Sequence, residues 1–174
     1  MKKVLLVLPS YISSDEALDL AVRRAREDKA ALVALYLIAA GAADDVFDAF
    51  SDIGFIGDRP SSQVSEAMMK EYRQRGYEEL GKVQIRAMEE GVAFEPLMEA
   101  GEPVEKVLSA IEGMGITTAV LVKRKERAIL RYFQRSYADE VAEKAPCEVI
   151  VFTGGQGPIK EDKKDVKEVD RGRA

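Results

Sequence analysis

Thr117-Thr118-Ala119-Val120-Leu121-Val122, then Lys123-Arg124-Lys125-Glu126-Arg127-Ala128-Ile129-Leu130-Arg131-Tyr132-Phe133-Gln134-Arg135-Ser136, and, after a short helix pattern, Ala145-Pro146-Cys147-Glu148-Val149-Ile150-Val151-Phe152 form the stretch that decides the fold. Ala119 to Val122 and Glu148 to Phe152 read as short strands buried in a sheet. Between them Ser136-x-x-Asp139 opens a helix, with Ser136 as its N-cap. The remaining surprise is the loop. From Lys123 to Arg135 it carries six basic residues and one acidic one, inside a chain whose net charge is −5.

The pattern extends toward the N-terminus. Val4 to Leu8 is a continuous apolar run, as in a strand covered on both faces, and Pro9 ends it. Ser13-Ser14-Asp15-Glu16 matches a capping box with Ser13 as N-cap, and Ala17, Leu18, Ala21, Val22 and Ala25 recur at helical spacing. Ala31 to Ile38 is a second buried strand, so a βαβ unit is complete within forty residues, and its right-handed crossover makes the sheet parallel. Residues 39–62 are too long for a turn and carry Phe47, Phe50 and Phe55 beside Asp44, Asp45, Asp48, Asp52 and Asp58, which predicts a folded excursion. Pro60-Ser61-Ser62 then caps a long helix that Gly91 stops, with Gly76 and Gly81 weakening its interior slightly. Ala93 to Met98 is a third strand. Pro103 begins a helix whose apolar stripe is Val104, Val107, Leu108 and Ile111.

Composition bounds the chemistry. A chain of 174 residues with 47% hydrophobic and 33% charged residues is one ordinary globular domain. It has no histidine, which removes Ser-His-Asp and Cys-His catalysis and histidine metal sites. The single cysteine, Cys147, excludes an intrachain disulfide and reads as a structural thiol at the head of a strand. The acidic balance argues against nucleic acid as a partner. No apolar run approaches the roughly 20 residues of a membrane span, and Val4 to Leu8 is too short for a signal segment, which predicts a cytoplasmic protein. Residues 160–174 are mixed charges that cannot offset their ordering entropy, so the tail from Gly154 is expected to be disordered, with Gly154-Gly155-Gln156-Gly157 as a linker.

Over residues 1–153 the order of elements resembles the universal stress proteins. Ser14-x-x-Ala17-Leu18 in the first helix, Gly101-x-Pro103 before the third and Ala145-Pro146-Cys147 before the last strand carry the resemblance. It implies one doubly wound α/β domain of the adenine nucleotide alpha hydrolase-like kind, with a five-stranded parallel sheet in the order 3-2-1-4-5. It also implies a homodimer joined antiparallel through the last strand, Glu148, Val149, Ile150, Val151 and Phe152. In nucleotide-binding members the loop after strand four follows Gly-x2-Gly-x9-Gly-Ser/Thr, because backbone amides must approach the phosphates with no side chain in the way. Val122, Lys125 and Arg135 stand at those three glycine positions, and Ser136 alone is kept. Pro9 stands where such members end the first strand in an aspartate.

The resemblance therefore implies the scaffold without the usual ATP site. The expectation is a non-enzymatic binding or regulatory module in the stress response, with no cofactor and with an unknown protein or a small anion as partner. The alternative is a rebuilt cationic phosphate site for ATP with magnesium, possessing slow ATPase activity, in which Ser14, Lys123, Arg124, Lys125, Arg135 and Ser136 surround the phosphates. The basic loop reads either as a solvated rim or as one half of a self-closed crevice, with the aspartate-rich excursion as its lid. Exposed ion pairs contribute only about 0–1 kcal/mol each, so burial of Phe47, Phe50 and Phe55 has to supply most of a lid's stability.

Overall fold

The computed structural model describes residues 1–39, 62–124 and 136–153. The elements run β1 (Lys3–Pro9), α1 (Asp15–Glu27), β2 (Ala31–Ala39), α2 (Ser62–Glu89), β3 (Phe94–Gly101), α3 (Pro103–Met114), β4 (Thr118–Lys123), α4 (Tyr137–Lys144) and β5 (Glu148–Thr153). The strands form one parallel sheet in the order β3-β2-β1-β4-β5, as expected. The excursion's two expected ends, Ala39 and Ser62, belong to β2 and α2, and the rest of it lies outside the described residues, as do the Pro60-Ser61 part of the helix cap and the tail.

Strand β1 shows why its residues were read correctly. Val4, Leu6 and Leu8 point to one face and Leu5 and Val7 to the other, all of them buried. On the first face they share one core with Ala17, Ala21, Val22 and Ala25 of α1 and with Leu80, Val83 and Ala87 of α2, which packs on the neighbouring β2 and β3. On the second they meet Val107 and Ile111 of α3 and Ala138 and Val141 of α4. Full burial of a Leu or Val side chain is worth about 1.5–3 kcal/mol, so this central strand carries a large share of the fold's stability.

Some ends of elements differ from the expectations and others match them. Ser14, not Ser13, caps α1: its extended backbone lets Oγ accept the Ala17 N–H at 3.2 Å. Glu102 caps α3, its carboxylate accepting the amides of Val104 (3.2 Å) and Glu105 (2.8 Å), with Pro103 at the first position as predicted. Gly91 ends α2 with a positive φ of 68°, which favours glycine. Strand β3 extends three residues beyond the expected Met98, in register with β2 from Phe94 opposite Leu32 to Gly101 opposite Ala39. Gly76 has a packing reason. A Cβ there would lie 2.5 Å from Met98 Cε and 2.7 Å from Tyr36 Cδ1, so the helix can rest on this part of the sheet only without a side chain.

Candidate functional site

In a parallel sheet every strand-to-helix connection leaves at the carboxyl edge, where open α/β folds bind ligands, and β1 and β4 are the neighbours at which chain direction across the sheet reverses. Six side chains from the β1 connection, the end of β4 and the start of α4 meet there: Tyr11, Lys123, Arg124, Ser136, Tyr137 and Asp139. β1 ends at Pro9, which has no amide proton, and Ser10 N–H donates to the Leu37 carbonyl at 2.9 Å. Tyr11 follows. The Arg124 guanidinium, just past the end of β4, lies over its ring at 4.5 Å from the centroid, so a cation–π contact ties the two connections together. Burial pushes the Tyr11 phenol above its ordinary pKa, and the Arg124 cation pulls partly the other way.

The retained serine is occupied. Ser136 caps α4, its Oγ accepting the Asp139 N–H at 3.2 Å, while its hydroxyl donates to the Asp139 carboxylate at 2.7 Å. Lys123 donates to both oxygens of the same carboxylate, at 3.2 and 3.4 Å. An anion at a helix N-terminus is favoured by the free amides and the helix dipole, and here the chain supplies that anion itself. Next to it, Tyr137 donates its hydroxyl to the carbonyl oxygen of Val122, whose own side chain is fully buried. Burial drives the Tyr137 phenol well above its usual range; neighbouring Tyr11 adds to the rise and the hydrogen bond to Val122 opposes it.

Of the predicted ligand residues, Lys123, Arg124 and Ser136 come together at this edge, and Ser14 reaches it through the β1 connection but is engaged as a helix cap. Lys125 and Arg135 lie outside the described residues, as do Phe47, Phe50 and Phe55. Tyr11, Tyr137 and Asp139 were not anticipated as site residues. The only available signal was indirect: aromatic residues immediately beside Pro9-Ser10 and after the cap Ser136, at positions that helical or strand periodicity does not require to be buried. Among the described residues no cluster of three or more acidic or cysteine side chains is arranged to hold a metal. No helix among them is long and apolar enough to cross a membrane. Burial raises the Cys147 thiol pKa, in keeping with a structural role.

A parallel sheet in this order, with helices on both faces and a serine-capped helix after β4, defines a doubly wound α/β domain. The universal stress protein family matches residues 1–153, and the chain belongs to that family. Among solved structures it is similar to a universal stress family protein from Burkholderia pseudomallei, at 21% identity and a TM-score of 0.60 over 87% of this chain and 95% of that one. A universal stress protein in complex with cAMP is similar at 16% identity and a TM-score of 0.58, covering 88% and 98% of the two chains. One from Archaeoglobus fulgidus in complex with dAMP gives 16% identity and 0.55, covering 87% and 97%. No curated protein matches this chain.

Proposed function

We propose that this protein is a universal-stress-type binding and regulatory module of the cytoplasm, working as a homodimer through β5 and without ATP turnover. In this reading it does not hold ATP in the family's usual manner. The observation that carries the reading is the Asp139 carboxylate, which takes the Ser136 hydroxyl and the Lys123 ammonium at the N-terminus of α4. A phosphate arriving there meets a resident negative charge whose cation and hydroxyl are already engaged. Val122 and Pro9 support the same conclusion, one offering a buried branched side chain and a carbonyl already bonded to Tyr137, the other lacking both carboxylate and amide proton. The partner is then a protein or a small anion, with neither nucleic acid nor membrane involved.

Arg124 favours a second reading. Its guanidinium is held on Tyr11 at the open rim, and an arginine so placed grips phosphate or carboxylate through two parallel hydrogen bonds. In that reading side chains replace the glycine amides, as a rebuilt site for ATP with magnesium. Titration calorimetry with ATP and magnesium, preceded by mass spectrometry for co-purified nucleotide, separates the two. The first reading expects no heat and no bound nucleotide. Micromolar binding would overturn it in favour of the second.

A further inference from the structure

Apart from Met1 at the chain start, the large hydrophobic side chains left exposed among the described residues are Tyr77, Ile85 and Met88, at 65%, 61% and 69%. All three lie on α2, on the outward face that also carries Gly81. An added Cβ at Gly81 meets nothing beyond its own helix within 4 Å. Gly76, five residues earlier, is required by Tyr36 and Met98; nothing in the described residues requires Gly81, although an interior helical glycine costs roughly 0.5–1 kcal/mol relative to alanine. A glycine without a local reason, centred in an apolar stripe, fits a site where another backbone comes close.

The stripe is symmetric about that glycine. Gln74 and Tyr77 precede Gly81 at the intervals at which Met88 and Ile85 follow it. We propose that this face of α2 pairs with α2 of a second copy, antiparallel across a two-fold axis at Gly81. Tyr77 then meets the partner's Ile85, Gln74 meets the partner's Met88, and the two glycines cross at the axis. Self-complementarity of this kind is what a closed two-fold interface needs. Beside the axis, Glu78 reaches the partner's Lys82, whose exposed ammonium is fixed near the stripe by Glu79 at 2.8 Å, and the reciprocal pair follows by symmetry. The helix carries five acidic and five basic residues, so it lacks the cationic face that a membrane or nucleic acid would select. α2 packs on β2 and β3, at the opposite end of the sheet from β5, so this contact is separate from pairing through the last strand.

The experiment measures mass against concentration by sedimentation, for the unaltered chain and for Ile150→Lys, which blocks pairing at β5. The expected result is a concentration-dependent doubling that survives Ile150→Lys and that Ile85→Glu weakens by more than about tenfold, with helix content unchanged. Gly81→Ala separates the two roles of the glycine: it raises the thermal midpoint of dilute protein by a few degrees while weakening the association. In a Cys147→Ser background, Gly81→Cys forms a disulfide-linked pair on mild oxidation, because helices crossing at small residues bring their Cα atoms within bonding range, whereas Arg73→Cys at the edge of the face does not. Ile150→Lys protein that stays monomeric, association indifferent to Ile85→Glu, or a Gly81→Cys variant that never cross-links would each overturn the proposal, the last in a protein whose β5 is intact.

Discussion

Strands β3 and β5 close the same sheet at its two edges with opposite means. β3 (Phe94–Gly101) carries Glu95, Pro96 and Glu99 in eight residues, and Pro96 offers no amide proton to a visiting strand. β5 (Glu148–Thr153) presents Val149, Ile150, Val151 and Phe152 in succession, all half-buried, with charge only at Glu148. Proline and charge are the usual protection of an exposed edge, whereas an apolar edge is a template for another chain. One edge refuses pairing and the other offers it. The difference says where the proposed β5 dimer forms and why it forms on one side of the sheet.

The largest effect expected is at β5. Ile150→Lys converts the dimer of the proposed β5 interface to smaller species in light scattering at fixed concentration, while Glu99→Lys on β3 leaves the mass unchanged. Equal effects at both edges would break the contrast. A second test presses on β3 from behind. Gly76→Ala sets a methyl group against Met98 and Tyr36, and overpacking of this kind costs about 1–3 kcal/mol, read as a fall in the denaturation midpoint. Third, the strands differ in how their starts are anchored. Glu148 accepts from Arg24 at 2.7 Å and from the buried Thr118 hydroxyl at 3.3 Å, whereas among the described residues Glu95 accepts from Lys3 at 3.2 Å. Glu148→Ala leaves the Thr118 hydroxyl without that partner and costs about 1 kcal/mol, while Glu95→Ala stays within about half that in the same chemical denaturation.

The smallest effect is a pH dependence behind β3. Tyr36, in register with Met98, has its phenol pushed up to about 12 by burial first and by Glu79 second. The folded state therefore keeps the proton that the unfolded chain loses near its ordinary value of 10. That contribution is fully present below pH 10 and is lost as pH rises toward about 12. Thermal midpoints should fall through this window, and Tyr36→Phe should flatten the decline.

These strands also show how far the sequence could be read. β1, β2 and β4 are apolar runs covered on both faces, and their patterns leave no other assignment. β3 was placed but ended three residues early, because an edge strand tolerates Glu99 and a closing glycine that a central strand would not. The two adjacent serines before α1 misplaced its cap by one residue. A pattern with Glu three residues after Ser13 favours that serine, while the extended backbone at Ser14 is what places a side-chain Oγ to accept the Ala17 amide. At the site, Lys123, Arg124 and Ser136, which lie at one sheet edge, were named through the family resemblance and the run of basic residues. Tyr11 and Tyr137 were not, since their roles depend on two connections meeting across the β1/β4 reversal, and Asp139 read only as a capping residue until Lys123 was found bonded to it.

The central position of β1 has a consequence for synthesis. One side of Lys3–Pro9 is satisfied early by Ala31–Ala39, but its other side waits for Thr118–Lys123. At translation rates of about 5–20 residues per second, that partner emerges on the order of ten seconds later. Through that interval a strand with five consecutive buried apolar residues, Val4 to Leu8, is an open edge on the ribosome. This chain's greatest exposure to aggregation thus falls during its birth, while the strand that will lie deepest in the sheet is still at its margin.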